Sequence, residues 1–119
     1  MNLKDKPIMS ELEFTIENKK TEAEQYVCSA QPFELGAVVM TQGVKMLLSD
    51  NIGSNLRIYL MRHQNGDWGG MPIEDKIAND EATKIGARIM SGYQIRNQRI
   101  WIITEGDRSV TTVLFPFEY

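Results

Sequence analysis

The sequence predicts an α+β domain in which helices pack on one face of a small antiparallel sheet near the C-terminus. Between residues 42 and 85 the apolar side chains recur at helical spacing. From residue 87 onward they form three short runs rich in β-branched and aromatic residues. The tight turns "RNQ" and "GDR" separate these runs, which is typical of a three-stranded meander.

The first 34 residues differ from the rest of the chain, because they are rich in Glu and Lys and carry few large apolar side chains. Leu12, Phe14 and Ile16 alternate with polar residues, as a half-buried strand would. This extension is therefore either an added edge strand or partly disordered. We divide the chain into an N-terminal extension, residues 1–34, and a single domain, residues 35–119.

The start of the domain predicts one strand and two helices. Ala37 to Met40 is an apolar run long enough for a strand, and Thr41 is suited to cap a helix across "QGVKMLLSD". Ser54 is a second candidate cap, for a helix through "NLRIYLMRH". The residues that share one face of this helix are Leu56, Tyr59, Leu60 and His63.

A third helix follows the string "RHQNGDWGG". Pro72 suits its first turn and Gly86 suits its end. The buried side is predicted to carry Ile73, Ile77, Ala82 and Ile85.

Three strands complete the chain. "ARIMSGYQI" is predicted to place Ile89, Ser91, Tyr93 and Ile95 on one face, with Asn97 taking a positive φ in the turn that follows. "RIWIITE" is nearly continuous in apolar residues, which predicts a central strand covered on both faces. "SVTTVLF" is the last strand, and Pro116 ends it.

Composition restricts the chemistry of this 119-residue chain. Its net charge is −3, which argues against a general attraction to nucleic acid or anionic membranes. One cysteine forms no internal disulfide, and one cysteine with one histidine does not build a typical zinc site. We expect no metal and no cofactor. The lack of a long apolar run and of a signal peptide predicts a soluble cytoplasmic protein with no membrane contact.

The string "RHQNGDWGG" supplies the first candidate surface, Arg62, His63, Asp67 and Trp68. His63 is either a general base beside Asp67 or a buried, hydrogen-bonded side chain, and its place on an apolar stripe favours the second. Trp68 is either an exposed aromatic contact for a partner or a plug at the edge of the core. The carboxyl of Asp67 is suited to bond its own turn.

The string "TEGDRS" supplies the second candidate surface. Glu105, Asp107 and Arg108 carry charges suited to coordinate a cation or to bind an anion. Charges at a hairpin tip are more often solvated or paired with one another. No complete catalytic motif is present in the sequence.

Four strings, "LGAVVMTQGV", "RHQNGDWGG", "EDKIANDEATKIGARIMSGY" and "IWIITEGDRSVTTVLFPFEY", resemble a family of short proteins carried on plasmids, integrative elements and other mobile DNA. The resemblance covers residues 35–119 and implies a genomic setting and two motif regions, but no reaction. Gly106, Phe115 and Phe117 depart from the family pattern. The motif positions are Arg62, His63, Gly66, Asp67, Trp68 and Gly69, and then Thr104, Glu105, Asp107, Arg108, Ser109, Thr111 and Thr112.

These patterns predict first a small binding module, an accessory of mobile DNA, that engages a protein or a nucleic acid. The alternative is a small hydrolase acting on a nucleotide or nucleic acid, with His63 and Asp67 beside Glu105, Asp107 or Arg108. A purely structural or homo-oligomeric role is the third hypothesis. The hydrolase hypothesis requires the two motif regions to meet in one pocket, and a buried, fully packed Trp68 would favour the structural role over the binding module.

Overall fold

The computed structural model describes residues 26–50 and 55–119. The predicted strand at residues 12–16 and the predicted cap at residue 54 lie outside them. None of the helices within these two ranges has the length and apolarity needed to cross a bilayer. The elements are β1 (Ala37–Met40), α1 (Gln42–Asp50), α2 (Leu56–Gln64), α3 (Ile73–Ile85), β2 (Ile89–Ile95), β3 (Gln98–Thr104), β4 (Val110–Leu114) and a short 3-10 turn (Pro116–Glu118).

The strands form one sheet in the order β1-β4-β3-β2, and the predicted α+β class is confirmed. The meander of β2, β3 and β4 is antiparallel as predicted. The sheet as a whole is mixed, however, because β1 pairs with β4 in parallel. The long chain between β1 and β4 allows this parallel return, which a tight turn would not.

Helices α1 and α2 pack against one face of the sheet. The predicted stripe of α2 is confirmed, since His63 is buried and Leu56, Tyr59 and Leu60 pack against the core. Ser91, placed by the sequence on the inner face of β2, is also buried. The core cluster between the helices and the sheet comprises Val44, Tyr93, Ile95, Ile100, Ile102, Val113 and Phe115.

The predicted buried side of α3 is confirmed for Ala82 but wrong for Ile77 and Ile85. Ile77 and Ile85 are 56% and 66% exposed. Polar side chains face inward instead because they bond neighbouring segments, so hydrogen bonds as well as apolar contacts hold this helix. Its end is as predicted, with Gly86 in the left-handed region at φ 76°. The buried residues of α3 are Asn79, Asp80, Ala82 and Thr83.

Strand β3 is central as predicted, since it lies between β4 and β2. The positive φ in the turn that follows β2 belongs to Arg96, at 58°, and not to Asn97. A two-residue hairpin turn of the primed types requires a positive φ at its first position, and Arg96 occupies that position.

Candidate functional site

The two motif regions are neighbours. We call residues 62–70 the GDWG loop and residues 104–109 the hairpin turn. The Nε2 atom of His63 lies 2.8 Å from the Oγ1 atom of Thr104. Phe33 also contacts both regions, with its ring 6.3 Å from the Trp68 ring and 5.6 Å from the Arg108 guanidinium.

The GDWG loop covers the outer edge of β2. Gly69 forms a parallel bridge with Gly92. The N–H of Gly70 donates to the carbonyl of Gly92 at 2.8 Å, and the N–H of Gly92 donates to the carbonyl of Trp68 at 3.2 Å. The loop therefore satisfies backbone groups that an open edge strand would leave for another chain.

Helix α3 covers the adjoining part of the same β2 edge. The side-chain amide of Asn79 donates to the carbonyl of Met90 at 2.7 Å, and its oxygen accepts from the N–H of Met90 at 3.1 Å. One amide side chain thus takes the place of a neighbouring strand. The edge of β2 is covered by the loop and the helix together.

Arg62 and Asp67 form an exposed pair within the loop. The Nε atom of Arg62 lies 2.7 Å from Oδ2 of Asp67, and the N–H of Gly69 donates to Oδ1 at 3.1 Å. The hydrogen bond from Arg62 is the main reason that the pKa of Asp67 is lowered. The Arg62 guanidinium also lies 4.7 Å from the centre of the Tyr93 ring. An exposed pair of this kind contributes about 0–1 kcal/mol, so its main effect is to fix the geometry of the turn.

His63 is fully buried in a chain of hydroxyl groups. Its Nδ1 atom lies 2.5 Å from Oγ of Ser91, and Oγ1 of Thr104 lies 2.7 Å from Oγ1 of Thr111. Thr111 donates to the carbonyl of Leu35 at 2.7 Å. Because each hydroxyl has one proton, Thr104 must donate to Thr111, and Nε2–H of the imidazole must donate to Thr104. Nδ1 then accepts from Ser91.

Burial, with a smaller effect from the positive charge of Arg108, lowers the pKa of His63 to about 3. The imidazole is therefore neutral at physiological pH, and neither ring nitrogen is free. Neither of its hydrogen bonds reaches Asp67. These contacts match the structural interpretation of His63 and not that of a general base.

Trp68 is 2% exposed, so the alternative of an exposed aromatic contact is wrong. Its ring lies 5.9 Å from the His63 ring, edge to face. The indole Nε1–H donates to Oδ1 of Asp80 at 2.9 Å. A buried indole needs an acceptor for its N–H, and α3 supplies one.

Asp80 is a central residue of this region that the sequence did not indicate, and it is 4% exposed. Besides Trp68, its carboxylate accepts from the Tyr26 hydroxyl at 2.9 Å and from the N–H of Ser29 at 3.0 Å, and the thiol of Cys28 lies at 3.5 Å. Burial raises the pKa of Asp80, but these hydrogen bonds, first that of Ser29, outweigh burial and lower it overall. The carboxylate joins residues 26–29, the GDWG loop and α3.

Replacing Asp80 with asparagine is expected to lower the free energy of unfolding by roughly 2–3 kcal/mol, because an amide NH₂ would face donors in place of a carboxylate oxygen. Urea unfolding followed by circular dichroism measures this change. Glu81→Gln is the matched control, since its neighbour Glu81 is exposed, and it should stay within about 0.5 kcal/mol of the wild type. Equal effects of the two substitutions would contradict the assignment of Asp80.

Arg108 ties the hairpin turn to the end of α3. It adopts a positive φ of 62°. Its guanidinium donates to the carbonyls of Ala87 at 2.6 Å, Glu105 at 3.0 Å and Ala82 at 2.8 Å. A cation at a helix C-terminus interacts favourably with the helix dipole, so the position of Arg108 is explained by the fold.

The two acidic residues of the hairpin turn lie at the surface. Glu105 pairs with Arg88 at 3.1 Å, and Arg88 also donates to the Tyr119 hydroxyl at 2.7 Å. Asp107 accepts the N–H of Ser109 at 2.9 Å, and hydrogen bonds from Ser109 lower the pKa of its carboxyl. Within residues 26–50 and 55–119, no three His, Cys, Asp or Glu side chains are grouped to hold a metal ion.

An open groove with a volume of about 370 Å³ runs beside the GDWG loop on the outer side of α2. Ile58 and Met61 supply its apolar surface and are 54% and 50% exposed. Arg62, Asn65 and Asp67 form its polar margin.

Comparisons of the chain with known protein families, with curated proteins and with solved structures find no match. Any functional assignment therefore depends on the contacts described above. The residues singled out from the sequence all make contacts within the chain, and these are Arg62, His63, Asp67, Trp68, Glu105, Asp107 and Arg108.

Proposed function

We propose that the protein is a small binding module that engages another protein through the exposed face of α2. The observation that supports this proposal is the open groove beside the GDWG loop, where Ile58 and Met61 are about half exposed. Apolar side chains surrounded by a polar margin are typical of protein interfaces, which have an apolar centre and a polar rim.

The charges of this face indicate the chemistry of the partner. Helix α2 contains Arg57 and Arg62 and no acidic residue. Arg62 uses Nε and Nη2 for Asp67, so its Nη1 is directed to neither carboxylate oxygen. An arginine held in this way loses little conformational freedom on binding. The groove therefore suits a protein segment that carries an apolar side chain next to a carboxylate.

A protein partner fits the chain better than a nucleic acid. The net charge is −3, and Arg88 and Arg108 are already bonded to Glu105 and to backbone carbonyls. These arginines are less available for phosphate contacts. The resemblance to mobile-element proteins adds an expected setting, in which this module is an accessory of mobile DNA.

The hydrolase alternative has less support. His63 is sealed in the core with both ring nitrogens occupied, and Glu105 pairs with Arg88 at the surface. A general base must reach the proton that it removes, and His63 has no open side in this conformation. The contacts of Asp67 and Asp107 do not make either carboxylate a replacement for the missing general base.

The test uses a photo-crosslinking amino acid placed at Met61 in the cells that make the protein, with Ile77 of α3 as the control position. A discrete protein adduct at position 61 that is absent at position 77 is the expected result. Ile58→Asp should then reduce the yield at least tenfold, whereas Ile77→Asp should not. The two isoleucines are matched, since they are 54% and 56% exposed.

Three outcomes would overturn the proposal. Equal adducts at both positions would show nonspecific contact, and no adduct at position 61 would remove the surface from consideration. An adduct that disappears on nuclease treatment would indicate a nucleic-acid partner. In each case circular dichroism confirms that the variants remain folded.

A further inference from the structure

Within residues 26–50 and 55–119, no strand pairs with the outer side of β1, so β1 is an edge strand of the described sheet. The N–H groups of Ala37 and Thr41 donate to the carbonyls of Ser109 at 3.0 Å and Val113 at 3.1 Å. Backbone groups alternate in direction along a strand, so Val38 and Met40 direct their N–H and C=O groups away from β4. These groups form a two-residue template for another strand.

The exposed side chains of β1 are apolar. Val38, Val39 and Met40 are 40%, 46% and 39% exposed. Val38 and Met40 pair in register with Thr111 and Val113, which are fully buried on the helix-covered face. The inner face of the sheet therefore continues to β1, where Val38 and Met40 are exposed. The opposite edge differs, because the GDWG loop and α3 cover it.

We propose that β1 pairs with β1 of a second copy of this chain, antiparallel, about a two-fold axis at Val39. Val38 then lies opposite Met40 of the second copy, and each such pair exchanges two N–H···O=C bonds. The two Val39 residues form the non-hydrogen-bonded pair, with Cα atoms about 4.5 Å apart. The two sheets become one continuous sheet, and the contact is the same patch on both copies.

Charges at the ends of β1 favour this arrangement. Residues 37–40 carry no charge, so nothing repels at the axis. An antiparallel pair brings the end that carries exposed Glu34 beside the end of the second copy that carries exposed Lys45. Neither residue has an ion-pair partner in the described part of the chain. The same opposite-charge contact occurs at both ends, because the axis is two-fold.

The position of Tyr26 favours a second copy over the N-terminal extension as the occupant. The Tyr26 hydroxyl is bonded to Asp80 of α3, and Asn79 of the same helix is bonded to Met90 of β2. The described chain therefore begins near the β2 edge, and β1 lies at the other edge of the sheet. A second copy meets β1 without crossing the sheet.

Cysteine cross-linking tests the register. In a Cys28→Ser background, which removes the exposed native thiol, Val39→Cys should form covalent dimers under copper–phenanthroline oxidation. Paired Cα atoms at about 4.5 Å lie within the disulfide range. Val38→Cys is the matched control and should remain mostly monomeric, because the two Val38 residues are diagonal to each other, with Cα atoms about 7–8 Å apart. Equal cross-linking at both positions, or none at position 39, would overturn the proposal.

Sedimentation velocity on the full chain tests the association itself. Two short strands bury less than the roughly 800 Å² per partner of a standard interface, so we expect a reversible dimer with a dissociation constant of about 1–100 µM. Val39→Lys should weaken it at least tenfold, whereas Val39→Thr should change it less than threefold. A monomer at every concentration up to about 500 µM would overturn the proposal and would leave β1 to the N-terminal extension or to a foreign strand. Ile58→Asp should not affect the dimer, so this result is independent of the proposed function.

Discussion

Replacing Gly69 with alanine is expected to lower the free energy of unfolding by more than about 3 kcal/mol. A Cβ atom at Gly69 would lie 1.9 Å from the carbonyl oxygen of Gly92 and 2.8 Å from the Tyr93 ring. The backbone there has a φ of 71°, which alone costs a residue with a Cβ about 1–2 kcal/mol. The loop would have to leave the edge of β2, losing the bonds at Gly70 and Gly92, so the total cost should exceed about 3 kcal/mol.

Gly70→Ala is the control for this substitution. A Cβ atom at Gly70 would have its nearest neighbour, Nη1 of Arg99, at 3.5 Å, which is ordinary van der Waals contact. We expect its free energy of unfolding to stay within about 1 kcal/mol of the wild type. Urea unfolding curves followed by circular dichroism separate the two variants. A Gly69→Ala variant as stable as Gly70→Ala would contradict the account of the GDWG loop as an edge cover.

Local periodicity was sufficient to predict most of the elements. The apolar stripe of α2 and the alternating apolar residues of β2 each mark one buried face. Which face is buried follows from the order of residues within the element itself. The left-handed end of α3 at Gly86 is likewise a local property, because glycine tolerates that conformation. These features were predictable since they require no knowledge of distant partners.

The parallel pairing of β1 with β4 and the buried polar side of α3 were not predictable in this way. Both depend on residues far apart in sequence. In the sequence, Asp80 interrupts no apolar pattern and resembles a solvated helix residue. Its partners Tyr26, Ser29 and Trp68 contact it only in the folded protein. One signal was available: a buried tryptophan requires an acceptor, and α3 begins five residues after Trp68.

The motif strings marked the right regions without revealing what the side chains do. Trp68 and Arg108 could be recognised as unusual residues, but their partners are the carboxylate of Asp80 and the carbonyls at the end of α3. A charged residue in a turn has the same sequence pattern whether it binds a ligand or a helix end. Only the folded contacts distinguish these two cases.

The single histidine makes the free energy of unfolding depend on pH, in a range separate from that of the carboxylates. In the unfolded chain His63 has a pKa near its ordinary value of 6.5, and in the folded protein burial lowers the pKa to about 3. Between these values the unfolded state binds more protons, so the free energy of unfolding rises with pH. We expect a loss of about 1.4 kcal/mol per pH unit below 6.5, or roughly 3 kcal/mol by pH 4.5.

The carboxylates of Asp67, Asp80 and Asp107 do not account for a loss in that range. The lowered pKa values of Asp67, Asp80 and Asp107 stabilise the fold above the pKa of a free carboxyl, near 4, and this contribution is lost only as the pH falls through the folded values. Urea unfolding at pH 4.5, 5.5, 6.5 and 7.5 therefore isolates His63. A flat free energy of unfolding from pH 7.5 to 4.5 would contradict the buried neutral imidazole.

Nitrogen-15 NMR of the folded protein tests the same network without a substitution. Because Thr111 donates to the carbonyl of Leu35, the protons of Thr104 and His63 are ordered along one direction, and the imidazole should carry its proton on Nε2. Its ring signals should not titrate between pH 7.5 and 4.5 while the protein remains folded. A titration midpoint near 6.5 or a proton on Nδ1 would show that the hydroxyl chain from Ser91 to Leu35 does not fix the imidazole. In that case the pH dependence of stability would need another source.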